Sequence, residues 1–434
     1  MTLQTTSFGI NDYFGITTPT DFVSNSHWES IMPIHDSTTA SQAVQTLLNR
    51  QEDVSSMDHG YTFRNLPFLI GSYEVRKSQS GAQWLEVVLQ NVYGSFKSKI
   101  WLNGGADEHI ETIESSALFL VDGKCEIYRG SKGLVISRLT PVECESPEMF
   151  LKGLPEGETV KQYRDELIHY LSSLSIPFQR IAYIVMRNYW SEFSVRPAAL
   201  KMHHAHIHGL LKHTTCLMRL ADHILQDSLE NPKDHALHLL RKFKEYADVE
   251  TTRILEEGNF HFFRIFELDH MTNVFHSMFP HVEKDSQYEN PLIDLSPEEK
   301  PAFDRDVTLF SILLHDIGKI WEYTHIGDNP KKFAMLFPHV EEALSPTNKG
   351  ISMDERGKLI GHMPIGVLVF QNALFAAKGC ISLEQSVAVT HNILSHHGKK
   401  EWDSSVVPAS PQAWLIHYVD NLDAKYESYQ ITTR

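Results

Sequence analysis

The sequence predicts a multidomain α+β chain in which a small β-barrel is followed by an all-α helical bundle. Three observations carry that reading. Between Leu66 and Pro141, short alternating apolar runs are separated by turn residues. Beyond Pro147 the apolar residues recur at spacings of three and four. Histidines and aspartates then gather into short segments of that second half. With 434 residues the chain has room for two or three domains and a sizeable core.

Residues 1–60 read as a polar extension rich in Ser and Thr, with turn signals at Thr17-Thr18-Pro19-Thr20-Asp21 and one short helix near Ala40 to Asn49. A barrel domain is assigned to residues 61–145. Phe68 to Val75 is apolar and β-rich, and Lys77 to Gly81 is a polar hairpin loop. Trp84 to Leu89 alternates, Gly94 interrupts, and Phe96 to Trp101 alternates again. A helical connection over Ala106 to Ser115 leads to strands at Leu118 to Lys124 and Gly133 to Ile136. Five strands with a break after the third match an OB-fold, a Greek-key barrel that commonly binds single-stranded nucleic acid.

The chain carries 39 Lys and Arg against 55 Asp and Glu, a net charge of −16 that argues against polyanion binding over the whole surface. Residues 64–140 are nearly neutral, with nine basic side chains against eight acidic ones, so the acid lies elsewhere. Aromatics interleave with those basic residues at Tyr73, Trp84, Tyr93, Phe96, Trp101 and Tyr128. Each could stack a base for roughly 1–3 kcal/mol, although half or more must fill the barrel. Lys97, Lys99, Tyr128, Arg129 and Lys132 are the expected nucleic-acid contacts.

Residues 146–200 read as a helical linker and the first helices of the second domain, with Tyr163, Leu167, Tyr170, Leu171 and Leu174 on one face, then Ile181 to Met186. Residues 201–434 complete that domain and contain a polar insert near 227–299. Its histidines, such as His235, His238, His261, His270, His276 and His281, lack converging partners and are expected in solvated or core roles. Long inserts beside active sites often act as lids or partner surfaces. Cys125, Cys144, Cys216 and Cys380 are widely spaced with no CxxC pair, so neither a zinc cluster nor a disulfide framework is expected. The N-terminus lacks a basic start before an apolar core, and no stretch approaches 18 uninterrupted apolar residues. The expectation is a soluble, cytoplasmic protein with no membrane partner, and the sequence carries no signal for an oligomeric state.

The segment Leu313-Leu314-His315-Asp316-Ile317-Gly318-Lys319 sets an imidazole beside a carboxylate at the end of an apolar run. Such a pair offers one nitrogen and one or two oxygens to a cation, and the carboxylate can bridge two. That donor set suits Mn²⁺, Fe²⁺, Zn²⁺ or Mg²⁺ better than a metal that prefers thiolate. An isolated His-Asp doublet is more often a hydrogen-bonded helix terminus than a ligand pair. This one has company. His203, His204, His206, His208 and His213 precede it, while His362, the His396-His397 pair, Asp420 and Asp423 follow.

The segments HHAHIHGLLKHT, LLHDIGK, GHMPIG, LSHHG and HYVDNLDAK, in that order, resemble the HD phosphohydrolase superfamily. More narrowly they resemble the YhaM-type exoribonucleases, over most of residues 195–430, and the barrel strings resemble the OB domain that precedes the HD domain in that family. The resemblance implies metal ligands at His213, His315, Asp316 and Asp420, with His362 and His396 completing a second ion and Asp316 bridging. It implies two divalent ions, Mn²⁺ foremost, with Fe²⁺, Mg²⁺ or Zn²⁺ as alternatives. Two cations about 3.5–4 Å apart activate a water and stabilise the leaving oxygen of a phosphodiester. Asp316 and Lys319 would be the catalytic pair, Lys319 either neutralising the phosphate or satisfying a helix C-terminus. His204, His397 and Asp423 are expected to support the ligands or replace one of them. His206 and His208 stand where the family pattern has tyrosine and glycine. The spacings from His213 to His315, about a hundred residues, and from Asp316 to His362, nearly fifty, exceed the compact family pattern.

The implied activity is stepwise removal of nucleotides from the 3′ end of single-stranded RNA, or of DNA, releasing nucleoside 5′-monophosphates. An HD-type phosphatase or cyclic-nucleotide phosphodiesterase would use the same ligands on a small substrate. A relaxase-related HD protein acting with DNA would not be expected to carry the barrel. A noncatalytic binding protein would have lost ligands, and the full set argues against it.

Overall fold

The computed structural model describes residues 23–34, 40–78, 81–102, 105–128, 131–200, 203–226, 303–337, 340–341 and 347–432. The insert assigned to residues 227–299, with its histidines, and Arg129 lie outside the described residues. Two short helices come first, α1 (Asn25–Ile31) and α2 (Gln42–Leu48), the latter capped by the Ser41 side chain on Val44 N–H. The first 60 residues are not a uniformly polar extension. Trp28 and Met32 are fully buried in the helical core, Val54 belongs to the barrel core, and Trp190 Nε1 donates to Pro33 O at 2.8 Å. A single short amphipathic turn is too brief to show a period, so its burial is invisible to pattern reading.

The barrel follows as β1 (Thr62–Lys77), β2 (Gln83–Asn91), β3 (Gly94–Trp101), helix α3 (Asp107–Glu114), β4 (Leu118–Tyr128) and β5 (Ser131–Val142). The strand order β1-β2-β3-β5-β4 closes through antiparallel pairing of β1 with β4, and β3 meets β5 in parallel. That order, with a helix between the third and fourth strands, is the OB-fold arrangement. One strand serves both halves because β1 is long and bulged, its register shifting between Phe63 and Leu66 and again between Ile70 and Ser72. Alternation directs Leu85, Val87, Leu89 and Ile100 inward with Phe68 and Phe119. Phe96 joins this core edge-on to Phe68, whereas Trp84 and Trp101 pair with each other on the outer face.

The helical domain begins with α4 (Val160–Ser173), started by a Thr159/Gln162 capping box, and α5 (Ile176–Phe193), started by Pro177 in its first turn. It continues through α6 (Gly209–Gln226), α7 (Arg305–His315), α8 (Lys319–Glu322), β6 (Tyr323–Thr324), α9 (Lys332–Leu336), β7 (Ser352–Met353), α10 (Glu355–Ile360), α11 (His362–Ala376), α12 (Leu383–Ser395) and α13 (Pro411–Thr432). These helices share one core that includes Leu167, Leu171, Ile181, Val185, Leu217, Phe310, Leu313, Phe370, Ile393 and Ile416. Among the described residues, no helix is long and apolar enough to cross a membrane.

Two polar joints position the site. Arg196 is wholly buried between α5 and α6, where its guanidinium donates to both oxygens of Asp328, at 2.6 and 2.9 Å, and to Tyr323 O at 3.1 Å. The second joint ties the barrel to the helices. Gly350 N donates to Ile70 O at 2.8 Å, and the Gln90 amide accepts from Ile351 N at 2.7 Å and donates to Ile351 O at 3.0 Å. A Cβ on Gly350 would stand 2.1 Å from Gln90 Oε1, so any larger residue there would push the Gln90 amide from its place.

Candidate metal centre

The ends of α7, α11 and α12, the first turns of α6 and the middle of α13 converge on one buried cluster of imidazoles and carboxylates. α7 is buried on every side from Val307 through His315, and it is capped at its start by Asp304 on Val307 N–H. It ends at the centre. His315 there donates Nδ1–H to Ile312 O at 2.7 Å, which leaves Nε2 directed inward as the free nitrogen. Asp316 follows as the first residue past the helix. The chain then turns so tightly at Gly318 that a Cβ would stand 2.0 Å from His362 O, and this contact brings α11 against the doublet.

His213 lies in the second turn of α6, with Nε2 3.3 Å from His315 Nε2, 3.5 Å from Asp316 Oδ2 and 3.2 Å from Asp420 Oδ1. Its other nitrogen donates to Asp423 Oδ2 at 2.8 Å, and the same oxygen meets His204 Nε2 at 2.7 Å. On the opposite side His362 Nε2 and His396 Nε2 each lie 3.6 Å from Asp316 Oδ1. His396 caps α12 and donates Nδ1–H to Ile393 O at 2.8 Å, while His362 Nδ1 meets Glu322 Oε2 at 2.9 Å. His397 donates to Trp402 O at 2.7 Å and still lies within the second group.

Two groups able to hold a metal ion therefore share one carboxylate. His213, His315 and Asp316 form the first, and Asp316, His362, His396 and His397 the second, the ligand atoms of each lying within 4.8 Å of one another. Asp316 Oδ2 faces the first group and Oδ1 the second. The donor atoms fit a cation on independent grounds: Asp316 Oδ1, His362 Nε2 and His396 Nε2 are buried and make no hydrogen bond. Their separation of 3.6 Å is too long for a hydrogen bond, and buried polar atoms without a partner are rare.

Electrostatics point the same way. Burial pushes the Asp316 carboxyl up, but Lys319 and the surrounding histidines hold it well below the usual carboxylate range. Asp420 is held low in the same manner, against its burial, by His213 and its neighbours. Burial alone would depress His213, yet hydrogen bonds to Asp420 and Asp423 raise it to about 10. A divalent ion at Nε2 would take the place of that proton.

The residues expected from the sequence thus fall into three sets. His213, His315, Asp316, His362, His396 and Asp420 come together, with His204, His397 and Asp423 against them. Lys319 is the first residue of α8 rather than the end of a helix, and its ammonium lies 2.5 Å from Asp316 Oδ2. Lys97 and Lys99 share the outer face of β3, Lys99 being paired with Glu126 at 3.1 Å, whereas Lys132 donates to Ser55 O. The Tyr128 side chain and Arg129 lie outside the described residues. Sequence reading passed over Glu322 and His417, which donates to His396 O at 2.7 Å. His417 is one turn before Asp420 and legible as a neighbour, but nothing local distinguishes Glu322.

A protein from Bacillus pumilus named 3′-5′ exoribonuclease YhaM is 25% identical over 364 residues, covering 83% of this chain and 84% of the relative. This chain is similar to the YhaM proteins over most of its length. The YhaM proteins of Bacillus subtilis and Listeria monocytogenes are 24% and 23% identical over 352 and 364 residues, covering 80% and 83% of this chain. No family model matches the chain, and no solved structure matches it. The similarity to YhaM spans most of both chains, so it takes in more than either the barrel or the helical domain alone.

Proposed function

We propose that this chain is a metal-dependent 3′-5′ exonuclease with an HD phosphohydrolase domain, acting on single-stranded RNA or on DNA. The observation that carries the reading is Asp316, whose two oxygens face two separate sets of histidines. The similarity to proteins named 3′-5′ exoribonuclease YhaM supports the substrate and direction.

His213, His315 and Asp420 would hold one divalent ion, and His362 and His396, joined or replaced by His397, a second, with Asp316 shared. A nitrogen and oxygen donor set without sulfur favours Mn²⁺, with Fe²⁺, Mg²⁺ and Zn²⁺ as competitors. When bound, such a pair supplies an activated water and charge neutralisation at the phosphodiester. The protein's own part is geometric. Lys319 holds Asp316 in its bridging orientation, Asp423 holds His213, and β3 with Lys97, Lys99 and Trp101 supplies a face for the strand upstream of its 3′ end. The P–O3′ bond of the last linkage breaks, leaving a 3′-hydroxyl on the shortened strand and a 5′-phosphate on the released nucleotide. Four cysteines free of disulfides fit a reducing, cytoplasmic setting.

The test uses 5′-labelled single-stranded RNA and full-length protein with Mn²⁺. A ladder shortening from the 3′ end, with nucleoside 5′-monophosphates accumulating, is the expected result. Intact RNA alongside hydrolysis of mononucleotides or cyclic dinucleotides would replace this reading with a small-substrate phosphohydrolase.

A further inference from the structure

His362 differs from His315 and His396 in where its helix leaves it. His315 and His396 stand at C-terminal helix ends, and each donates Nδ1–H to a carbonyl three residues earlier in its own helix, Ile312 and Ile393. His362 opens α11. Three residues before it the chain belongs to α10, and the Gly361 turn, at φ 80°, separates the two helices. No carbonyl of its own helix can fix the ring, and Glu322 takes that part at 2.9 Å.

The helix start adds a second need. The N-terminal end of a 15-residue helix carries partial positive charge, which opposes a cation held beside it. An anionic side chain at the first residue's ring offsets that charge. Glu322 is itself firmly placed, since its carbonyl accepts from Asp354 N at 2.8 Å and its side chain is only 14% exposed. Across the centre Asp423 stands to His213 as Glu322 stands to His362, a carboxylate on Nδ1 with Nε2 facing Asp316.

We propose that Glu322 is a positioning residue for the second ion. Its carboxylate fixes the proton of His362 on Nδ1 and so turns the lone pair of Nε2 toward the site shared with Asp316 Oδ1. Each ion then has one histidine oriented by a carboxylate from another element and one oriented by its own helix. This inference rests on the two-ion reading above.

Equilibrium dialysis of Mn²⁺ against metal-stripped full-length protein tests it, with Glu322→Ala, Glu322→Gln and Asp423→Asn compared with the parent. The parent should bind two ions. Glu322→Ala should weaken one class of site by about 10–100-fold and spare the other, with Glu322→Gln, which keeps an acceptor, weakened less. Asp423→Asn should weaken the other class, and the double variant both. Unchanged Mn²⁺ binding in Glu322→Ala overturns the proposal, as does a parent binding fewer than two ions, or equal weakening of both classes. A drop in metal-free melting temperature with Mn²⁺ affinity intact also overturns it, since that is what a purely structural carboxylate would give. RNA degradation is followed on the same samples. Glu322-dependent Mn²⁺ binding with intact RNA overturns the nuclease reading and leaves Glu322 in its role, whereas RNA shortening with Glu322-independent binding does the reverse.

Discussion

The Lys319 ammonium lies 2.5 Å from Asp316 Oδ2, and both side chains are buried. Under the proposed function, a lysine engaged in this way would hold Asp316 between its two histidine groups. The sequence leaves Lys319 either neutralising the phosphate or satisfying a helix C-terminus, and kinetics separate the first of these from a hold on Asp316. A charge-assisted bond at this distance sets which oxygen faces which histidine group.

Lys319→Met keeps the apolar stem and removes the charge. It should lower kcat by about 10–100-fold with little change in KM, as expected when a partner behind a ligand is lost. Asp316→Ala should abolish hydrolysis and reduce bound Mn²⁺. A Lys319→Met enzyme with kcat intact and KM raised would mean that the lysine meets substrate directly.

Asp328 is the anchor for buried Arg196 and also meets Lys332 at 3.0 Å. Removing it strands a buried guanidinium, so Asp328→Ala should cost about 3–5 kcal/mol in urea unfolding. Burial pushes its carboxyl up, but Arg196 and Lys332 hold it below the usual carboxylate range. A depressed folded-state pKa stabilises the protein above the unfolded value of about 3.9 and loses that contribution as pH falls further. The parent should therefore lose stability below about pH 4 more steeply than Asp328→Asn. Equal slopes for the two proteins would remove Asp328 from the acid response.

The outer face of β3 makes a separable prediction. Lys97→Glu with Lys99→Glu should weaken single-stranded RNA binding and flatten its dependence on salt, because each lost phosphate contact removes about one released counterion. Trp101, 46% exposed and edge-on to Trp84, is the stacking candidate, so Trp101→Ala should cost roughly 1–3 kcal/mol in RNA affinity. Hydrolysis of a chromogenic phosphodiester should stay unchanged in both the double variant and Trp101→Ala. Unaltered filter binding would move the strand to another surface.

The strands of the barrel and the helices from Val160 onward were legible because period-two and period-3.6 patterns persist over enough residues to stand out. The convergence of His213, His315, Asp316, His362, His396 and Asp420 was legible only through segment order, since distances between helix ends do not show in a local pattern. α1 escaped notice because its seven residues bury chiefly Trp28, too few for a period. Glu322 escaped for a different reason. Its meaning depends on where α11 begins, 40 positions later in the chain. Lys99 had the expected exposed face, but its pairing with Glu126 is a cross-strand matter that charge counting along the sequence cannot see.

The joint at Gln90 has a consequence for length. Both backbone groups of Ile351 are satisfied by one side chain of the barrel, and Gly350 packs closely against it. Swinging the two halves apart would leave the Ile351 amide and carbonyl without those partners, so under the proposed function a strand held on β3 would be trimmed only down to the length of its path to Asp316.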